Sequence, residues 1–539
     1  MSRALVLAGG SILTMGPALR VEAVAVVDGL VVHAGTLADC RAAAGADREE
    51  RDLGGRTLLP GFVDPHTHPL LLGQARAWTY VGPDAAPSID ALVAILAARA
   101  TELPPGAPLR AYGYDHRRLA EGRHPTAADL DLAGGGREIY VMNASGHGGV
   151  MNSFGLAGHG ITASTPDVSG GEIGRYTDGR PNGFLMDSAC DLITGADGVK
   201  LRNHGPNFHL LEPAAVLAAQ LTAAQDEFLR VGITSVVDAQ ASRREVETFF
   251  RARAAGALRL RVDMMVTSAL LDEVLALGLH GRLGDDELAF AGIKLYADGT
   301  MGGATAWFPE GYASDAHNHG VRYHEPAELN DLIGRAHAAG LQTATHAQSP
   351  AAIGLVLDAV AAAQAHSPRP DARHCIEHCG LPTDEQIAAM ARLGVVPVPQ
   401  PQHGRSFGDG VIRSVGRDIG ERYQPSGLFA RAGLPVVLSS DAPVNPPHPL
   451  LAVQAAVERR TVAGTELGGE ELRIDVLTAL RGVTITAAWA AFRETRVGSL
   501  EPGKYADFAI LAADPTRVPT GEIGAIAVGE TWRDGRRIA

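Results

Sequence analysis

The pattern of apolar and polar positions changes twice along this chain, and each change predicts a change of architecture. Up to about residue 57, short apolar runs are punctuated by glycine and turn residues, and Ala23–His33 reads as a hairpin folded around Asp28-Gly29. The last forty or so residues repeat that texture in Ala506–Leu511 and Glu530–Ile538. The two ends are therefore expected to build one small composite β-sandwich from residues 1–57 and 497–539. Between them, apolar strand-like runs alternate with alanine-rich amphipathic segments. Ala214–Arg230 precedes Gly232-Ile-Thr-Ser-Val-Val-Asp238, and Pro382–Leu393 precedes Gly394-Val-Val-Pro-Val398. Over residues 58–496 this alternation predicts an α/β fold with parallel strands, a (β/α)8 TIM-like barrel. Residues 76–209 break the rhythm with glycine, proline and polar residues, and are read as an insertion after the first barrel strand that covers the active-site face.

Composition narrows the function classes. With 539 residues and 46% hydrophobic content, the chain is long enough for two domains, one of them large. A balance of 47 basic against 61 acidic residues, net −14, excludes nonspecific attraction to nucleic acid or to an anionic membrane surface and leaves a small molecule as the expected partner. The four cysteines (Cys40, Cys190, Cys375, Cys379) are too few and too scattered for a disulfide framework, which suggests a reducing compartment. Cys375 and Cys379 flank His378 but lack the second ligand pair of a structural zinc site. The apolar stretch at the start is too short for a signal peptide and no run is long enough to span a bilayer, so the expectation is a cytoplasmic protein.

The chemistry begins with a lysine. Only three of the 47 basic residues are lysine, and Lys294 lies inside the apolar run Phe290-Ala-Gly-Ile-Lys-Leu-Tyr296. Arginine keeps its charge, whereas a desolvated lysine amine can become neutral and nucleophilic, able to add carbon dioxide as a carbamate that bridges two metal ions. A second signal is His66-Thr-His68, reached directly from an apolar run; side chains at i and i+2 of a strand share a face, so both imidazoles can converge on one cation. His346, His378 and Asp441 each close a further short apolar segment, as a barrel site requires of ligands delivered from several strand ends. Together these six residues offer four imidazoles, one carbamate and one carboxylate, a set suited to one or two divalent ions, zinc foremost. The second His-x-His, His317-Asn-His319, has no strand before it and reads as a solvated loop. The glycine-rich Asn143–Gly149 matches neither spacing of the nucleotide-binding fingerprints.

Motifs in order along nearly the whole chain resemble the amidohydrolase superfamily, and within it the amidohydrolase family 3 group that includes N-substituted formamide deformylases. They are Pro60-Gly-Phe-Val-Asp-Pro-His-Thr-His68, His124-Pro-Thr-Ala-Ala-Asp-Leu-Asp131, Gly146-His147 with Asn152-Ser153, Gly232–Asp238, Ile293-Lys-Leu-Tyr-Ala-Asp-Gly299, Ile376-Glu-His378, Ser439-Ser-Asp-Ala-Pro-Val444 and Gly498–Asp507. The resemblance implies a metal-dependent hydrolase in which His66 and His68 bind the more buried ion, Lys294 is the carboxylated bridge and His346 and His378 hold a second ion. Asp441 would bind the first ion and serve as general base, and His147 would polarise the scissile carbonyl or bind substrate. Asp298, Asp115 and Trp307 are further candidates for substrate contact, with Phe308 beside Trp307. One departure stands out: relatives commonly carry Gly-Asp two residues after the histidine that corresponds to His346, and here the run is His346-Ala-Gln-Ser-Pro350. The leading expectation is hydrolysis of a C–N bond in an N-acyl or N-formyl amine by metal-bound hydroxide. An aminohydrolase acting on a heterocycle and a noncatalytic barrel scaffold are the alternatives, and homo-oligomerisation is plausible for the superfamily.

Overall fold

The computed structural model describes residues 4–134 and 136–539. Its centre is a sheet of seven parallel strands, Phe62–Thr67, Ile233–Ala241, Arg261–Thr267, Leu288–Tyr296, Gln342–Ala347, Cys375–His378 and Val396–Val398, hydrogen-bonded in that order. The short strand Leu283–Gly284 adds antiparallel to Leu288–Tyr296. An eighth regular strand was expected where the apolar run Val436–Ser440 lies, and the described backbone there forms no ladder. It still bridges the sheet's two edges: Ser439 N donates to Pro399 O (3.2 Å) beyond the last strand, and Asp441 N donates to His66 O (2.9 Å) on the first. The result is a nearly closed parallel sheet. Pro435, at the head of the run, has no backbone N–H to give to a ladder.

Helices return the chain between strands. Ala214–Arg230 leads into Ile233–Ala241 through Gly232, and Asp384–Leu393 opens on a Thr383/Gln386 capping box and closes at left-handed Gly394 before Val396–Val398. Helix residues such as Leu221, Phe228, Ile333, Ile353 and Val360 bury one large apolar core with strand residues Val236, Val262, Ile293 and Leu295. A second cluster joins residues from nearly every strand, among them Val63, Val237, Met265, Ala291, Ala344, Val398 and Val437, and fills the interior below the site. A β-bulge pairs Met264 with Phe290 but Met265 with Gly292. The bulge resets the alternation of the strand, so that Ala291 and Lys294 both face inward while Ile293 and Leu295 face the helices.

Strands from the two chain ends hydrogen-bond into one sheet of eight strands. Thr57–Pro60 pairs antiparallel with Phe508–Leu511, and the helix Leu37–Ala44 covers one face around Cys40. The predicted hairpin pairs Val27 with Leu30, with Asp28 and Gly29 both at positive φ (49° and 85°). From Pro60 the chain passes through Gly61 directly into the first strand of the central sheet, and a Cβ at Gly61 would lie 2.3 Å from Thr234 Oγ1. A third sheet, mixed and six-stranded, runs from Thr79 to Asp187 and carries its own apolar clusters. No helix among the described residues is long and apolar enough to cross a membrane.

Candidate metal centre and active site

The strand ends deliver a tight donor cluster. His66 sits near the end of Phe62–Thr67 and His68 caps the helix Pro69–Ala77; their Nε2 atoms lie 3.5 and 3.2 Å from the same oxygen, Asp441 Oδ1. One ligand atom from each of these three buried residues falls within 4.8 Å of the others, and the same holds for His378, His403 and Asp441. Asp441 is thus shared between two overlapping sets. It is held there because its segment is sewn to the first strand, with His68 N donating to Ala442 O at 2.9 Å in addition to the bond from Asp441 N. Asp441 and His378 both adopt positive φ (57° and 67°), conformations that side chains rarely take and that concentrate at functional sites. The next helix begins only at Pro449 behind His448, so Asp441 caps nothing.

Neighbouring groups fix which nitrogen of each ring is presented. His66 Nδ1 is hydrogen-bonded to Glu377, and His378 Nδ1 donates to Gln400 Oε1 at 2.7 Å, which leaves Nε2 of both rings to the cluster. His346 instead gives Nε2 to Gly299 O at 2.9 Å and keeps Nδ1. His346 and His378 stand side by side, with ring centroids 4.3 Å apart. Burial pulls the pKa of His68 down, that of His403 to about 4, and those of His346 and His378 well below the usual range; for the last two, neighbouring cationic groups add to the effect. Neutral imidazole is the form that binds a metal. Burial pushes Asp441 the other way, but the hydrogen bond from His68 and the nearby His66 and His403 outweigh it and keep the carboxyl ionised.

Lys294 is wholly buried, and its Nζ has no hydrogen-bond partner among the described residues. It rests 4.7 Å from the centroid of the Tyr296 ring, and burial lowers its pKa to about 8 against the opposing pull of Glu377 and Asp441. An unpaired amine in such a place is costly unless something else occupies it. Among the described residues Lys294 makes no pair with the nearby-in-sequence Asp298. Asp298 accepts from the backbone N–H groups of Gln348 (2.9 Å), Ser349 (3.0 Å) and Trp307 (3.1 Å), and so ties two loops together. The donor set therefore suits a borderline divalent ion: neutral imidazoles, one ionised carboxylate and one buried amine with nothing to bind.

A cavity opens above the cluster. His66, His68, His346, His378, His403 and Asp441 line its floor. His147 reaches it from the six-stranded sheet, its Nδ1 2.8 Å from the buried Asp187, with the ring 5.9 Å from that of His346. Asp115 lines the cavity as expected, whereas Asp298 and Trp307 do not; Asp298 is buried in the loop clamp, and Trp307 packs under the Arg322 guanidinium. His317 and His319 are exposed, and all four cysteines are buried and unpaired. Sequence reasoning missed His403, in the first turn of Pro401–Val415, and Glu377 and Gln400, which orient ligand rings. Glu377 stands next to His378 and could have been suspected. Nothing in the local pattern marked Gln400-Pro-Gln-His403. Gln348, from the departing run after His346, lines the cavity.

Comparison with known proteins agrees with this geometry. The model of the Amidohydrolase family matches residues 49–539, and the chain belongs to that family. It is 29% identical over 530 residues to the N-substituted formamide deformylase of Arthrobacter pascens, covering 95% of this chain and 94% of the relative. Its fold is shared with the crystal structures of uncharacterized metal-dependent hydrolases from Pyrococcus horikoshii (TM-score 0.77, 24% identity, 96% of this chain and 99% of that one) and Pyrococcus furiosus (TM-score 0.74, 24% identity, 95% and 100%).

Proposed function

We propose that this protein is a metal-dependent hydrolase that cleaves the C–N bond of a small N-acyl or N-formyl amine. The observation that carries the reading is the convergence of His66, His68, His378 and His403 on one carboxylate, Asp441, at the floor of a cavity. The relative from Arthrobacter pascens, named for deformylation of N-substituted formamides, supports the bond class. In this reading residues 58–496 form a (β/α)8 barrel closed by Val436–Asp441, residues 1–57 and 497–539 form the composite β domain, and 76–209 the insertion.

One or two divalent ions held here, zinc foremost, would supply Lewis acidity for activating water at neutral pH. His66, His68 and Asp441 would hold the first ion; His378 with His346 or His403 would hold the second. The neutral fraction of the Lys294 amine, enlarged by its lowered pKa, would add carbon dioxide, losing a proton as the N–C bond forms, to give a carbamate that could serve as a metal ligand. Asp441 would take the proton of the attacking water and return it to the amine as the C–N bond breaks. His147, held by Asp187, would point its remaining nitrogen at the carbonyl oxygen. A panel of N-formyl, N-acetyl and carbamoyl amines tests the reading, with N-formyl or N-acyl amines expected to yield the free amine. Turnover of heterocyclic amines to ammonia, undiminished in Lys294→Ala, would replace it with a deaminase.

A further inference from the structure

The cavity has a second chemical character at its mouth, where Asp115, Arg117 and Phe407 line both the cavity and an adjoining groove. The groove adds Arg118, Arg405 and Arg413. Among the described residues none of these three makes an ion pair with a carboxylate. In a chain with net charge −14, in which most arginines are paired, a set of four arginines around one opening is not a solvated average face. Arg117 is the member that faces the cavity. Its backbone N and its Nε both donate to Asp115 Oδ1 (3.1 and 3.4 Å), an arrangement that fixes the stem and leaves the Nη1/Nη2 fork without a partner. The fork lies between two glycines: a Cβ on Gly302 would be 3.9 Å from Nη2, and one on Gly410 would be 3.7 Å from Nη1 and 3.8 Å from Arg413 Nη2. Two guanidinium groups therefore approach the same glycine of the helix Pro401–Val415, whose first turn carries His403 into the metal cluster. Asp115 and Asp409 are the acidic groups in this neighbourhood, and Asp115 is already engaged with Arg117.

We infer that Arg117, backed by Arg413, is the specificity element of the site, and that the substrate carries a carboxylate at the end remote from the scissile C–N bond. A free, planar guanidinium fork matches two carboxylate oxygens, and its stem is already ordered by Asp115, so little freedom is lost on binding. Alongside its polar groups the same cavity is lined by Leu71, Phe208, Phe407 and Val444, which suits a short alkyl or aryl spacer. The substrate class is thus an N-formyl or N-acyl amino acid rather than a neutral formamide. This inference rests on the hydrolytic reading of the same cavity.

The test pairs N-formyl-4-aminobutyrate with its neutral isostere N-formyl-4-aminobutyramide, using the metal-loaded enzyme and the variants Arg117→Gln and Arg117→Lys. For the wild type, kcat/KM is expected to favour the carboxylate by about ten- to a hundredfold. In Arg117→Gln the ratio falls to near one through KM, and Arg117→Lys retains part of it. Calorimetric binding of the two compounds reports separately from turnover. If neither is hydrolysed but the carboxylate binds more tightly in an Arg117-dependent way, the hydrolytic reading fails and the anion site stands. If both are hydrolysed equally, or the preference survives Arg117→Gln, the anion site is overturned and the hydrolytic reading stands. Equal binding without turnover overturns both.

Discussion

The two ends of the central sheet treat buried charge in opposite ways. Where the strands begin, against the terminal sheet, Arg261 Nε donates to Asp507 Oδ2 at 2.7 Å and its Nη2 to Asp507 Oδ1 at 3.1 Å, with a further bond to Asp534 and the Tyr505 ring 3.9 Å away. Arg493 makes a two-pronged pair with Asp263, both bonds 2.9 Å. Where the strands end, Lys294 Nζ, His68 Nδ1 and His403 Nε2 are buried with no hydrogen-bond partner among the described residues. Both sets of side chains are buried, so their exposure does not explain the difference. Paired charges hold two parts of the fold in register, whereas unpaired polar atoms cost stability and persist where they serve a ligand.

The largest effect expected from breaking this contrast is at the unpaired end. Lys294→Ala should lower kcat/KM by about a thousandfold or more while the melting temperature holds or rises, because an unsatisfied buried amine is removed. Kinetics and a thermal melt on one preparation check both, and short carboxylic acids added to the variant should restore part of the activity. Arg261→Met should do the reverse. Leaving Asp507 buried without its partner should cost about 3–5 kcal/mol of stability, measured by denaturant unfolding, while activity per folded molecule is retained. Replacing Arg261 and Asp507 together by apolar residues should recover most of that loss. A smaller change is expected from Glu377→Gln, which weakens the bond that orients His66: metal affinity should fall about ten- to a hundredfold in competition with a chromophoric chelator.

The smallest effect sharpens the contrast through pH. Burial tends to raise the Asp514 pKa, but hydrogen bonds from Thr516, Arg20 and Ser11 in the terminal sheet outweigh it and bring the carboxyl to about 2. A folded pKa below the unfolded value of about 3.9 adds stability above that value and loses it as the pH falls toward 2. The gap in melting temperature between the wild type and Asp514→Asn should therefore be full near pH 6 and close between about pH 4 and pH 2.

What the sequence displayed was mostly what repeats with a short period. The β-rich ends, the strand and helix alternation and the His66-x-His68 pair all follow from side-chain spacing along one element, and the structure holds them as expected. Asp441 was legible because it closes a short apolar segment. His403 was not, because it approaches Asp441 from a helix 38 positions earlier, and only tertiary packing brings them to 3.5 Å. The bulge that turns Lys294 inward, the missing ladder at Val436–Ser440 and the capture of Asp298 by three backbone N–H groups are likewise set by neighbouring strands and loops rather than by local pattern.

If the unpaired end of the central sheet is a divalent-metal centre, hydrolysis depends on the ion held there. The direct measurement is metal content of the purified protein by mass spectrometry, read together with turnover of an N-formyl amine before chelation, after it and after reloading. The account predicts one to two divalent ions per chain, loss of turnover when they are stripped and its return when zinc is restored. Full turnover in protein shown to be metal-free would contradict it.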